Sequence, residues 1–291
     1  MPYKKGKKMQ TQPVSLKYLP QFEAFGISDE QINLFEKQKV IPLISLSNQD
    51  MEWLEAPQKA DKPTVAFLLG RDEGYYTVDY NYAKAILQSG VNIRFLTYSS
   101  CKEQMSGING LILPGGRFPS PEQFYCDAVL QPIVKYEARA KAYLDCIETA
   151  LNEHLPMLGI CAGAQMIGGM LGMKMYRNTK QYTNTDIEHK TKILDAHKVF
   201  IKKPSPLYDL LQTDEIETNS RHTESMLPYA SDSKLTIYAR TEDNVPEAWG
   251  NVEKHILCIQ WHPEDFAANG DISMQHIYNW LAQQAQNYKI I

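Results

Sequence analysis

The chain has 291 residues, 43% of them hydrophobic, and a formal net charge of −4. It can bury a large core, and it lacks the basic excess that would favour nucleic acid as a partner. No apolar run approaches the roughly 18 residues of a membrane-spanning helix, and the basic stretch from Met1 to Gln12 leads into no apolar segment, so neither a membrane partner nor a secretory signal is expected.

Residues 1–62 read as an N-terminal extension of unknown role. Lys4, Lys5, Lys7 and Lys8 make a basic tip, and Ser28-Asp29-Glu30-Gln31 fits a capping box ahead of a short amphipathic helix. Val40 to Leu46 suggests a strand, and Ala56 to Pro63 a linker. From residue 63 to 291 the pattern becomes regular. Thr64–Leu69 predicts a strand, Gly70 to Tyr76 a loop, and Val78–Gln88 a helix stopped at Gly90. Val91–Thr97 and Gly110–Leu113 predict two more strands, and Val134–His154 a long helix with apolar residues at helical spacing. Further on, His197–Lys202, Lys234–Arg240 and Ile256–Trp261 predict strands, and Asp271–Gln286 a closing helix. Helices alternating with nearly all-apolar strands imply βαβ units and a mostly parallel sheet covered on both faces, with room for an antiparallel edge.

Leu155 to Gly169 carries the chemistry. A short apolar strand runs through Gly159-Ile160-Cys161-Ala162-Gly163 into a helix, the pattern of a nucleophile elbow with a thiol at its apex. A thiol nucleophile needs a base, an orienter for that base and donors for an oxyanion. His262 follows the last apolar strand, so it emerges at the same carboxyl-terminal sheet edge as Cys161. Glu264, two residues on, can hold the imidazole tautomer. Pro114-Gly115-Gly116 ends the third strand at that edge, where unobstructed backbone N–H groups could join that of Ala162 around an oxyanion. The five cysteines (Cys101, Cys126, Cys146, Cys161 and Cys258) lack C-x-x-C spacing, which points to reduced thiols in a cytoplasmic protein; no metal site is expected.

These segments resemble the class I glutamine amidotransferase superfamily. With Asp79 to Gly90, Ala196-His197-Lys198-Val199 and Asn219-Ser220-Arg221-His222, the chain is more narrowly similar to the stand-alone γ-glutamyl-γ-aminobutyrate hydrolase-like branch, peptidase family C26, over roughly residues 63–286. The resemblance implies a flavodoxin-like three-layer α/β/α fold and hydrolysis of a γ-glutamyl amide without a cofactor. It implies Cys161 as nucleophile, His262 as base, Glu264 as orienter, and the backbone of Gly116 and Ala162 as oxyanion hole. Gly115, Gln165, Asn219, Ser220 and His222 become candidate substrate contacts. The chain departs from the branch at His222-Thr223-Glu224, where relatives usually read His-His-Gln, and at Arg139-Ala140-Lys141, where they often show an Arg-Asp pair. The expected partner is a small γ-glutamyl compound, with a homodimer left open. Two alternatives stay open: a glutaminase module delivering ammonia to a separate synthetase, and a non-catalytic regulatory relative.

Overall fold

A computed structural model describes residues 42–44, 61–72, 75–98, 100–117, 120–127, 138–183, 185–229 and 233–288. Nine strands form one sheet: β1 (Thr64–Leu68), β2 (Asn92–Leu96), β3 (Gly110–Leu113), β4 (Met157–Ile160), β5 (His197–Ile201), β6 (Glu215–Thr218), β7 (Thr236–Arg240), β8 (Pro246–Asn251) and β9 (Ile256–Ile259). Their spatial order is β6-β5-β7-β8-β9-β4-β3-β1-β2. The five strands from β9 to β2 run parallel, and β8, β7, β5 and β6 extend them as an antiparallel wing.

Burial explains the division. β3, β4 and β9 are buried at every residue, as strands sandwiched between helices must be, whereas β5 alternates buried and exposed positions because one face meets solvent. One side carries α1 (Tyr80–Gln88), α4 (Pro206–Leu211), α5 (Pro263–Ala267) and α6 (Ile272–Asn287). The other carries α2 (Ala138–Asn152) and α3 (Ala162–Met170). The result is a mixed, largely parallel α/β fold in three layers.

Local chemistry sets the element ends. The Asp79 side chain accepts from the Asn81 N–H at 2.8 Å to start α1, and Gly90 just past its end takes φ +79°. Asp271 caps α6 by accepting from the Met274 N–H at 3.0 Å. The long helix is observed as α2, with Ala140, Tyr143, Ile147 and Ala150 buried as their spacing demands; its expected first turn at residues 134–137 lies outside the described residues.

Two differences from the sequence reading stand out. The segment from Gly70 to Tyr76 is largely a hairpin instead of a loop: Gly70–Asp72 pairs antiparallel with Tyr75–Val78, a run of aromatic and β-branched residues that favours a pleated strand. Tyr75–Val78 also pairs in parallel with Pro42–Ile44, inside the strand expected at residues 40–46. β8 lacks sequence signal because Pro246, Glu247, Gly250 and Asn251 are poor strand formers, yet it occupies the sheet interior. The helix expected after Ser28 lies outside the described residues.

The crossing of β4 into α3 is the tightest point of the fold. A Cβ on Gly163 would lie 2.0 Å from the Leu113 carbonyl oxygen, and one on Gly159 would lie 2.8 Å from the Ala164 backbone. Neither neighbour is a flexible side-chain end, so the clash must move backbone. Gly163→Ala is expected to lower unfolding stability by about 1–3 kcal/mol, read as a lower urea midpoint at unchanged m-value.

Candidate active site

Sheet register brings the expected residues together. Ile160 pairs with Ile259 and Gly159 with Leu113, so Cys161, Gly115 and Gln260 sit level across three adjacent strand ends, with His262 two residues beyond. The Cys161 N–H donates to the Ile259 carbonyl at 2.8 Å, which closes the elbow against β9. Cys161 itself has φ +50° and ψ −111°, a left-handed conformation that a side-chain-bearing residue seldom adopts. The turn thereby places the thiol in front of the α3 N-terminus, whose first N–H groups have no intrahelical acceptor.

His262 Nδ1 lies 2.6 Å from Glu264 Oε1, and both side chains are buried. Burial alone would lower the imidazole; the Glu264 carboxylate and the adjoining Cys161 sulfur outweigh it and hold His262 well above its ordinary value. With Nδ1–H donated to Glu264, Nε2 is the nitrogen available to the thiol. Gly115 marks how closely the parts converge. A Cβ there would fall 2.8 Å from His262 Cε1 and 3.2 Å from Cys161 Cβ.

Several contributors were not foreseen from the sequence. The Gly115 N–H donates to the Tyr82 hydroxyl at 3.0 Å, so that amide is already engaged. Tyr143 Oη donates to the Pro114 carbonyl at 2.7 Å, and Arg139 Nη2 donates to the Gly115 carbonyl at 3.0 Å. These bonds fix the glycine turn beside the thiol. Burial raises the Tyr82 and Tyr278 hydroxyls well above their usual range, and the Glu264 carboxylate adds to the effect on both. Both therefore stay protonated around Glu264. Tyr82 and Tyr278 lie on helical faces whose spacing reads as core, which is why nothing in the sequence set them apart.

The remaining candidates divide into two groups. Gly116, Cys161, Ala162, Gln165 and His222 line an open pocket of about 210 Å³ with Arg117, Ser120, Lys190, Arg221, Thr223 and Glu224. Gln165 is oriented by donating Nε2 to the Glu224 carbonyl at 2.9 Å and to Gln260 Oε1 at 3.1 Å. Asn219 and Ser220, by contrast, are fully buried behind this wall. Asn219 accepts from the His262 N–H at 2.8 Å and donates to the His262 carbonyl at 3.0 Å, while Ser220 Oγ donates to the His189 carbonyl at 2.7 Å. Asn219 is thus placed to position the histidine's backbone, and Ser220 to support the wall.

The Glu224 carboxylate accepts from Tyr125 Oη at 2.6 Å and from Ser120 Oγ at 3.4 Å, and burial raises its pKa. It lines the same pocket as the exposed cations Arg117 and Lys190.

The family model for peptidase C26 matches residues 69–264, about two thirds of the chain. The chain belongs to the peptidase C26 family. Within the class I glutamine amidotransferase-like superfamily, this C26 protein is 28% identical over 167 residues to a glutamine amidotransferase-like protein of Lactococcus lactis, covering 56% of this chain and 69% of that one. It is 29% identical over 175 residues to a γ-glutamyl-CDP-amidate hydrolase of Campylobacter jejuni, covering 60% and 70% respectively. Its fold matches a glutamine amidotransferase of Thermotoga maritima with a TM-score of 0.53 at 13% identity, over 77% of this chain and 98% of that one. The C26 chain is a glutamine amidotransferase-like hydrolase, and among its described residues no helix is long and apolar enough to cross a membrane.

The electrostatics of this C26 site give a direct test. In an NMR titration, the His262 imidazole is expected to titrate well above 6.5, and Glu264→Gln to lower the midpoint. A midpoint unmoved by the substitution would contradict the assignment of Glu264 as the charge that holds the imidazole protonated.

Proposed function

We propose that this C26 hydrolase cleaves the γ-glutamyl amide bond of a small γ-glutamyl compound through a thioester on Cys161. The observation that carries the reading is the strained Cys161 turn set beside the buried His262–Glu264 pair. In the first half-reaction the Cys161 sulfur attacks the γ-carbonyl carbon, and negative charge develops on the carbonyl oxygen. Gly116 and Ala162 line the pocket, and their N–H groups supply the oxyanion donors. The C–N bond then breaks, and His262 Nε2 gives its proton to the departing amine. In the second half-reaction a water loses a proton to His262 and attacks the thioester, releasing glutamate and restoring the thiol–imidazole pair.

The pocket chemistry supports the acyl group. A γ-glutamyl moiety carries an α-carboxylate and an α-ammonium, and the pocket offers Arg117 and Lys190 to one and Glu224 to the other. The Campylobacter relative's activity on a γ-glutamyl amidate lends weight to a stand-alone hydrolase. Residues 1–62 are assigned to an extension in front of this catalytic domain at 63–291.

The test is glutamate release from a panel of γ-glutamyl amides and free glutamine, with Cys161→Ala as control. Turnover of at least one γ-glutamyl amide is expected, with kcat falling by about 10³-fold or more in the variant. Turnover of glutamine alone would favour an ammonia-delivering module. A Cys161→Ala protein as active as the native one would overturn the mechanism.

A further inference from the structure

Behind the pocket wall, four side chains from four separate segments converge: His189 from the turn before β5, His197 from the start of β5, His222 from the pocket wall and Glu247 from β8. One donor atom from each lies within 4.8 Å of all the others. Their side chains are 4%, 3%, 2% and 0% exposed, so bulk solvent does not reach them. Yet His189 Nδ1, both nitrogens of His197, His222 Nε2 and both Glu247 carboxylate oxygens have no hydrogen-bond partner. A buried polar atom left unpaired is costly, and native folds keep such atoms few, so this many in one spot calls for a partner.

The distances show what would compensate. Glu247 Oε1 lies 3.4 Å from His222 Nε2, 3.7 Å from His189 Nδ1 and 3.9 Å from His197 Nε2. These separations are too long for N–H···O hydrogen bonds, which end near about 3.2 Å. They are slightly wider than the about 3.3 Å that separates two ligands of a tetrahedral ion with bonds of about 2.0–2.1 Å. The outer contacts also choose the tautomers. His189 Nε2 lies 3.1 Å from Asp243 Oδ2, and His222 Nδ1 lies 2.9 Å from the Glu224 carbonyl. Those contacts hold a proton on the outer nitrogen of each ring and leave the opposite nitrogen, facing Glu247, to present a lone pair once an ion displaces any proton there. A carboxylate holding the far side of a ligating histidine is the usual support of a metal-bound imidazole.

We propose that His189, His197, His222 and Glu247 bind one divalent transition-metal ion of the zinc class, with Asp243 supporting His189. Neutral imidazoles and one carboxylate suit this class, and a buried four-donor set is that of a structural site. Glu247 and Asp243 together balance the charge of the dication. The ion would tie the 219–224 segment to β5 and β8. Asn219, at the head of that segment, grips the backbone of His262, so the site acts on the triad only through position.

The test is metal content by inductively coupled plasma mass spectrometry on the full chain after incubation with Zn²⁺ and gel filtration. One equivalent per chain is expected in the native protein and in Cys161→Ala, and less than about a tenth in His197→Ala. Replacement by Co²⁺ should give the intense visible bands of a tetrahedral ion without a thiolate charge-transfer band, and chelation should lower the Tm until Zn²⁺ is returned. The cobalt and chelation measurements use native protein, so they decide the matter even if the His197 variant fails to fold. Less than a tenth of an equivalent on the native chain, or a thiolate–cobalt band, would overturn the proposal.

Discussion

Cys161 is held with positive φ, and the structure around it is arranged to make that conformation sustainable. A residue with a Cβ in this region costs about 1–3 kcal/mol of backbone strain, which surrounding packing must offset. The packing is visible at the two glycines: Gly159 lets Ala164 close over the strand, and Gly163 sits against the Leu113 carbonyl. From that contact follow the approach of α3 to β3 and the proximity of the Pro114-Gly115-Gly116 turn. The placement of the buried thiol and that of the glycine turn are thus two results of one close crossing.

The parallel sheet then supplies the partner for the thiol. Because β4 lies between β3 and β9, the three strand ends open on one edge, and the register decides which residues meet there. Burial at this edge works in two directions. It would strip the proton from an isolated imidazole, and it also strengthens the interaction between His262 and the Glu264 carboxylate, which wins. Tyr82 and Tyr278, with their hydroxyls kept protonated, enclose the carboxylate without competing for its charge. The glycine turn is fixed through Tyr143 and Arg139 of α2 and through Tyr82 of α1. Tyr82 therefore links the turn to the surroundings of Glu264.

What the sequence made legible was local or periodic. The Gly-x-Cys-x-Gly elbow, the all-apolar strands and the placement of His262 after a strand all depend on neighbours within a few residues, and the core domain follows their order. The antiparallel wing was harder to read because β8 contains Pro246, Glu247 and Gly250, and its place in the sheet interior is set by pairing with β7 and β9. Asn219 became a candidate substrate contact through the resemblance of its Asn-Ser-x-His segment to the C26 branch, and the structure shows its amide engaged by the His262 backbone. The cluster of His189, His197, His222 and Glu247 had no local signature. Its members are spread from residue 189 to residue 247 and come together only when β5, β8 and the pocket wall assemble.

The central claim is that Cys161 carries the acyl group between the two half-reactions. Acid-quenched enzyme mixed with a turned-over γ-glutamyl substrate, digested and read by mass spectrometry, tests it most directly. A glutamyl mass on the peptide bearing Cys161, removed by hydroxylamine, is the predicted result. Product formation with no adduct at Cys161, or an adduct confined to another cysteine, would contradict the account.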